Sequence, residues 1–107
     1  MIKPEKWMIL KIDGIDKHYR VFGSWSGGYL DSDEWRMNSG IVSVTEDEDF
    51  FYFKGYSGSV YKCRKGMYGT SSYGMEVASN YVKTYNGLIE IMDEDNDWME
   101  LFKRKGK

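Results

Sequence analysis

Two glycine-rich segments that also carry aromatic residues are the part of this sequence most suited to binding a ligand or a partner. Residues 23–30 read GSWSGGYL, and residues 55–61, GYSGSVY, form a looser version of the same pattern. Glycines let the backbone approach a ligand closely, and neighbouring aromatic rings offer stacking faces. We assign to this binding surface Trp25, Gly27, Gly28, Tyr29, Trp35, Arg36, Tyr56, Ser57, Gly58 and Tyr61. The alternative is structural, since glycines also mark tight bends whose aromatic neighbours fill a core.

The first glycine-rich segment does not have the sequence of a phosphate-binding loop. It lacks the Lys-Ser or Lys-Thr pair that reaches the phosphates in such a loop. No helix is predicted directly after it, so no helix N-terminus would face an anion there. We therefore predict an irregular bend over residues 23–28 that presents its aromatic side chains.

The residues that could support catalysis or bind a metal are few and scattered. His18 is the only histidine and Cys63 the only cysteine, and the sequence places no orienting partner beside either. Residues 93, 95 and 97 are aspartates with the spacing of the first ligands of a calcium loop, but the glycine that such a loop requires is missing. We predict a protein that is not an enzyme and that uses no metal and no cofactor.

The composition disfavours nucleic-acid-binding and membrane-spanning proteins. The net charge of −2 disfavours a nucleic-acid-binding domain, which is usually strongly basic. A single cysteine fits a reducing cytoplasm, and no apolar run approaches the roughly 20 residues that span a bilayer, so no membrane partner is expected. The length of 107 residues fits one domain over residues 1–102, followed by a flexible basic tail at 103–107.

Hydrophobic patterning predicts mostly strands and one helix. Alternation and β-branched residues predict strands at 7–12, 18–22, 35–37, 41–45, 50–53 and 59–64, with the first two forming a hairpin. Apolar residues at helical spacing predict a helix over 73–85, with Ser71 or Ser72 as its N-cap. Two further strands, 88–92 and 98–102, are predicted to form a last hairpin.

This order of elements predicts an α+β fold. Short turns between neighbouring strands favour antiparallel pairing. The architecture we predict is a strongly bent antiparallel sheet or a small, partly open barrel with one helix. A sandwich with the helix packed at an edge is the alternative.

The two glycine-rich segments also carry a family resemblance. Residues 23–41, GSWSGGYLDSDEWRMNSGI, together with residues 55–63, GYSGSVYKC, resemble small uncharacterised accessory proteins of large tailed bacteriophages. The resemblance covers about residues 7–65 and, more loosely, the predicted helix, and it brings no catalytic residues with it. It implies a protein that acts in the host cytoplasm, where it would bind a host protein or neutralise a defence system.

We therefore predict a small non-catalytic protein that binds and inhibits a host protein. Acidic turns at 31–34, 46–49 and 93–97 would steer it to a partner with a basic surface. A homodimer formed through exposed strands stays open as a further possibility.

Two alternative functions involve other ligands. The first is a module that sequesters a nucleotide or another small molecule, for which the polar candidates are Arg36, Asn38, Ser57 and Arg64. The second is weak binding of single-stranded nucleic acid. The residues that favour it are Lys62, Arg64 and Lys65, beside Tyr56, Tyr61 and Tyr68.

Overall fold

Seven strands and two helices make up the part of the chain that the structure, a computed structural model, describes, namely residues 1–25 and 34–102. In chain order they are β1 (Lys6–Asp13), β2 (Lys17–Trp25), β3 (Glu34–Met37), β4 (Ile41–Glu46), β5 (Phe50–Gly55), β6 (Val60–Arg64), α1 (Ser72–Thr84), β7 (Ile89–Ile91) and α2 (Trp98–Leu101). The strands form two antiparallel sheets, ordered β3-β2-β1-β7 and β4-β5-β6. We call them the first and the second sheet.

Strand β1 is the centre of the fold because both of its faces are buried. Trp7 and Ile9 pack into a core that the first sheet shares with the second, whereas Met8 and Leu10 pack toward α1. Successive side chains of a strand point to opposite faces. A strand covered on both faces therefore needs an unbroken apolar run, and the sequence supplies one from Trp7 to Leu10.

The core between the two sheets is rich in aromatic side chains. The second sheet contributes Phe53, Tyr61 and Cys63, all of them buried. The Trp7 ring lies 5.5 Å from the Phe53 ring and 5.0 Å from the Tyr68 ring, measured between centroids. Its indole N–H donates to the Arg64 carbonyl at 2.8 Å, which ties the first sheet to the end of β6.

The predicted helix is confirmed, and α1 covers the face of the first sheet that lies opposite the second sheet. Ala78 and Val77 pack on that face together with Phe22. The helix begins after Ser71, whose hydroxyl accepts the Gly74 N–H at 3.0 Å. Ser71 rather than Ser72 is therefore the N-cap.

Replacing the N-cap should weaken the helix measurably. We expect Ser71→Ala to lower the free energy of unfolding by about 1 kcal/mol, because the Gly74 N–H loses its acceptor. Urea denaturation would measure this change. Ser72→Ala is the matched control and should change the free energy by less than about 0.5 kcal/mol, since Ser72 is exposed. A larger loss in the Ser72 variant would contradict the assigned cap.

The α+β class with antiparallel strands is confirmed. The first hairpin is also confirmed: β1 pairs with β2, with Lys6 opposite Ser24 at one end and Asp13 opposite Lys17 at the other. The strands form two packed sheets in place of one bent sheet, and they close into no barrel within residues 1–25 and 34–102. The helix lies on a sheet face and not at an edge.

The predicted last hairpin is wrong. Residues 98–101 form the short helix α2, and β7 pairs with β1 instead of with a neighbouring strand. The Asp97 carboxylate accepts the Glu100 N–H at 3.1 Å, so the acidic turn supplies a helix cap. Trp98 then enters the core, where its ring stacks on Tyr68.

The predicted bend at residues 23–28 is wrong at its start. Strand β2 continues through Gly23, Ser24 and Trp25, and it pairs there with β3. Gly23 is needed for close packing, because a Cβ atom at this position would lie 2.9 Å from the Pro4 Cβ and 3.6 Å from the Tyr61 ring. The rest of this prediction, residues 26–28, lies outside the described residues, as does the predicted tail at 103–107.

Candidate functional site

A polar cleft lies at the edge of β2 where its pairing with β3 ends. Strand β3 pairs with β2 only from Phe22 to Trp25. At the next position along the edge, Asn38 donates its backbone N–H to the Val21 carbonyl at 3.1 Å and accepts the Val21 N–H on Oδ1 at 2.9 Å. The Asn38 side chain thus takes the place of a strand neighbour, and the chain turns from there toward β4.

The opposite wall of the cleft is the turn between β5 and β6. The Ser57 N–H donates to Ser39 Oγ at 3.1 Å, and the two hydroxyl oxygens are 3.4 Å apart. The Tyr56 N–H donates to the Gly40 carbonyl at 3.0 Å. These bonds hold the two turns together and place several hydroxyl groups at one opening. The polar residues lining the cleft are Arg20, Arg36, Asn38, Ser39, Ser57 and Ser59.

The electrostatic character of the cleft is positive. It has a volume of about 330 Å³, and Arg20 and Arg36 are its charged lining residues. Neither guanidinium forms an ion pair with a carboxylate in the part of the chain that the structure describes. Burial raises the pKa of Tyr61, and the nearby Arg36 charge opposes that shift. The Arg36 charge therefore acts on the buried apolar side of the cleft, which Tyr61 helps to form.

Asn38 adds a buried donor that has no acceptor. Its side chain is 5% exposed, and its Nδ2 forms no hydrogen bond with any described residue. Most buried polar atoms in proteins have a partner, so an exception of this kind calls for an explanation. This Nδ2 packs against the Gly55 backbone, and the donors that line the cleft itself are guanidinium groups and hydroxyls, which favour an anion.

A second depression, of about 470 Å³, adjoins the cleft and shares Arg20 and Ser39 with it. Arg20 Nε donates to His18 Nε2 at 3.1 Å, while His18 Nδ1 lies 3.0 Å from the Asp16 carbonyl. Both contacts fit a neutral imidazole that carries its hydrogen on Nδ1. Tyr56 lines this depression and is 71% exposed.

The structure brings together some of the residues assigned to the site and separates others. Arg36, Ser57 and Tyr61 line the cleft, and Tyr56 lines the adjoining depression. Gly58 lies in the turn between β5 and β6 and has a φ of +93°. Asn38, named for the alternative ligand site, also lines the cleft, whereas Arg64 lies on the outer face of the second sheet.

The tryptophans assigned to the site have structural contacts of their own. Trp25 donates its indole N–H to the Lys3 carbonyl at 2.9 Å, and the Trp35 ring stacks on Phe22 at 5.3 Å between centroids. Neither lines the cleft. Gly27, Gly28 and Tyr29 lie outside the described residues.

The basic group considered for nucleic acid is arranged differently from the sequence expectation. Lys62 Nζ lies 4.4 Å and Arg64 Cζ lies 4.7 Å from the centroid of the Phe50 ring, while Lys65 pairs with Glu46 at 2.6 Å. Tyr61 is buried, and Tyr68 packs against Trp7. These two tyrosine rings are therefore not arranged beside the basic group as a stacking surface.

Cys63 is also unsuited to surface chemistry. It is fully buried, and burial raises the pKa of its thiol well above the ordinary range. A thiol held in this way carries little thiolate, which is the nucleophilic form. Within the described ranges, no three His, Cys, Asp or Glu side chains come together as metal ligands.

Sequence reasoning missed Arg20, Ser39 and Ser59. Arg20 belongs to a strand that also carries buried residues, and its place at the cleft depends on β3 ending before it. The available sequence signal was the pair of serine-containing turns at residues 38–40 and 55–59, each with a glycine. Nothing in the sequence indicates that these two turns bond to each other.

Comparison with known proteins found no match: no family model, no curated protein and no solved structure matches this chain. In residues 1–25 and 34–102, no helix has the length and apolar character needed to cross a membrane.

Proposed function

We propose that the protein is a non-catalytic binding protein that holds a small anionic ligand in the cleft between Arg20 and Arg36. The observation that carries this proposal is the pair of guanidinium groups, Arg20 and Arg36, that line one cleft without carboxylate partners among the described residues. A bound anion would supply the counter-charge for both arginines. Binding sites typically combine a concave shape with a few convergent polar groups of this kind.

The energetics favour an occupied cleft. A hydrogen bond to a charged group contributes about 1.5–3 kcal/mol. Guanidinium groups bind carboxylates and phosphates through paired N–H donors, so one anion can engage several of the lining groups. The chain would gain stability from its ligand by mass action.

Sequestration fits the site better than conversion of the ligand. The His18 Nε2 accepts the Arg20 N–H, and the Cys63 thiol is buried in the core. The groups that line the cleft are hydrogen-bond donors and hydroxyls, and no described residue there is paired as a nucleophile with a base.

Replacing Arg36 tests this proposal. We expect Arg36→Gln to weaken binding of inorganic pyrophosphate by about 10- to 100-fold, because one charge-assisted contact is lost. Calorimetric titration would measure it, with sodium chloride at matched ionic strength as a blank. Arg64→Gln is the matched control, since it removes the same charge from the outer face of the second sheet. Equal weakening in both variants, or no binding by the wild type, would contradict the proposal.

A host-directed inhibitor, expected from the bacteriophage resemblance, is the second candidate. The observation that favours it is Tyr56, which is exposed in the depression that Arg20 also lines. Tyrosine and arginine are enriched among the residues that dominate protein interfaces. The positive cleft favours an acidic group on the partner, in addition to the basic surface expected from the acidic turns.

The second candidate predicts a specific pattern in affinity purification from a bacterial host. A protein captured by the wild type in the host cytoplasm should be lost with Tyr56→Ala and retained with Tyr73→Ala, an exposed tyrosine on α1. Capture that is indifferent to Tyr56 would contradict an interface at this site.

A further inference from the structure

We infer that the ligand is a nucleoside monophosphate, with its phosphate in the cleft and its base against Tyr56 in the adjoining depression. This inference rests on the proposed function, because it assigns a chemical class to the anion held there. It is carried by the two lining residues that the adjoining spaces share and by the way in which the Tyr56 ring is held.

The two spaces form one site with two different chemistries. Arg20 and Ser39 line both, so the cleft and the depression adjoin at these two residues. The cleft measures about 330 Å³ and the depression about 470 Å³. Pockets for small ligands typically have volumes of about 300–1,000 Å³. An inorganic anion would occupy the cleft and leave the depression without a ligand group.

Tyr56 has the arrangement of a stacking platform. A Cβ atom built on Gly40 would lie 3.0 Å from two carbons of the Tyr56 ring, so the ring packs directly on the glycine backbone. Gly40 has a φ of +130°, which other residues rarely adopt. The hydrogen bond from the Tyr56 N–H to the Gly40 carbonyl fixes the start of the turn. One side of the ring is therefore supported while 71% of the residue stays exposed.

The charges of the depression determine the orientation of the ligand. The depression is lined by the Asp16 carboxylate together with Lys17 and the shared Arg20, whereas the charged residues that line the cleft are both arginines. A carboxylate repels phosphate but accepts hydrogen bonds from ribose hydroxyls or base amino groups. The phosphate therefore belongs in the cleft, and the ribose and base belong in the depression. The imidazole of His18, bonded to Arg20, adds a second flat ring to that wall.

Calorimetric titration of the full chain with AMP, ribose 5-phosphate and inorganic phosphate tests the inference. We expect AMP to bind about 5- to 150-fold more tightly than ribose 5-phosphate, the range that stacking of one base on an aromatic ring provides. Tyr56→Ala should abolish this difference by lowering the affinity for AMP to that for ribose 5-phosphate, whereas Tyr56→Phe should retain the difference. Tyr73→Ala, a control at an exposed tyrosine outside the site, should behave as the wild type.

The outcomes separate this inference from the proposed function. Equal binding of AMP and ribose 5-phosphate would overturn the inference but leave an anion-binding protein. Failure of all three compounds and of inorganic pyrophosphate to bind would overturn both. Tighter binding of a single-stranded oligonucleotide than of AMP, with the excess lost in Arg64→Gln, would also overturn the inference and indicate a polynucleotide ligand on the outer face of the second sheet.

Discussion

Trp98→Ala should lower the free energy of unfolding by about 3–5 kcal/mol, the cost of emptying a buried aromatic site. Trp98 is 3% exposed, and its ring lies 5.8 Å from Tyr68 and 6.2 Å from Trp7 between centroids. Its removal opens the aromatic core at the point where α2 closes it. Domains of this size have total stabilities of about 5–15 kcal/mol, so the variant would retain only part of its stability. Urea denaturation followed by far-UV circular dichroism would measure the change.

Met99→Ala is the control for this prediction. Met99 follows Trp98 on the same short helix but belongs to neither core, so we expect a loss below about 1 kcal/mol. Comparable losses in the two variants would mean that α2 contributes as a helix and not through the buried tryptophan. A negligible loss with Trp98→Ala would contradict its placement in the core.

Tyr68→Ala should have an effect of similar size, about 3–5 kcal/mol, for two separable reasons. The ring packs between Trp7 and Trp98. Its hydroxyl accepts the Ile9 N–H at 3.0 Å and donates to the Met92 carbonyl at 2.6 Å. The hydroxyl therefore bridges the backbone of β1 and the residue that follows β7. Tyr68→Phe keeps the ring and should cost about 1–3 kcal/mol, because the buried Ile9 N–H is left without an acceptor. A Phe variant as stable as the wild type would contradict the bridging role of the hydroxyl.

Alkaline titration gives an independent test of the same hydroxyl. Burial raises the pKa of Tyr68 to about 12, although the hydrogen bond from Ile9 opposes that shift, while the ordinary pKa is 10.0. Folding therefore favours the neutral hydroxyl, and this contribution is complete below pH 10 and is lost as the pH rises toward 12. The stability advantage of the wild type over Tyr68→Phe should narrow over that interval. An advantage independent of pH would contradict the raised pKa.

Much of the secondary structure could be predicted from the sequence because burial leaves a regular pattern. The alternation in residues 59–64 identifies β6, and the helical spacing around Val77 and Ala78 identifies α1. The pairing of strands could not be predicted in the same way. Strand β7 pairs with β1 across most of the chain, and local patterns contain no information about which distant edge a short strand will join.

The error at Trp98 has a similar cause. Residues 98–102 contain aromatic and apolar residues typical of a strand, and a span this short gives no clear period. Asp97 is the local signal for a helix, because an aspartate at the N-cap satisfies a free backbone N–H. The packing of Trp98 against Trp7 and Tyr68 then stabilises the short helix.

The candidate site was only partly predictable from the sequence. Arg36, Ser57 and Tyr61 were named for their closeness to glycine-rich segments, and they line the cleft because two turns bond to each other through Ser39. Arg20 could not be recognised, since its role depends on where β3 ends. The unpartnered Asn38 amide is a property of the tertiary structure alone.

Because Cys63 is buried between the two sheets, the reactivity of its thiol reports on separation of the sheets. Its thiol lies in the core between the sheets, and it is the only cysteine of the chain. A thiol reagent can reach it only when the second sheet separates from β1 or when the whole domain unfolds. The rate of thiol labelling can be measured in the native protein and, for the exposed thiol, in urea. When the sheets close again faster than the reagent reacts, the ratio of the first rate to the second is the equilibrium constant for opening. Transient separation of the two sheets can therefore be measured in the native protein without introducing a probe.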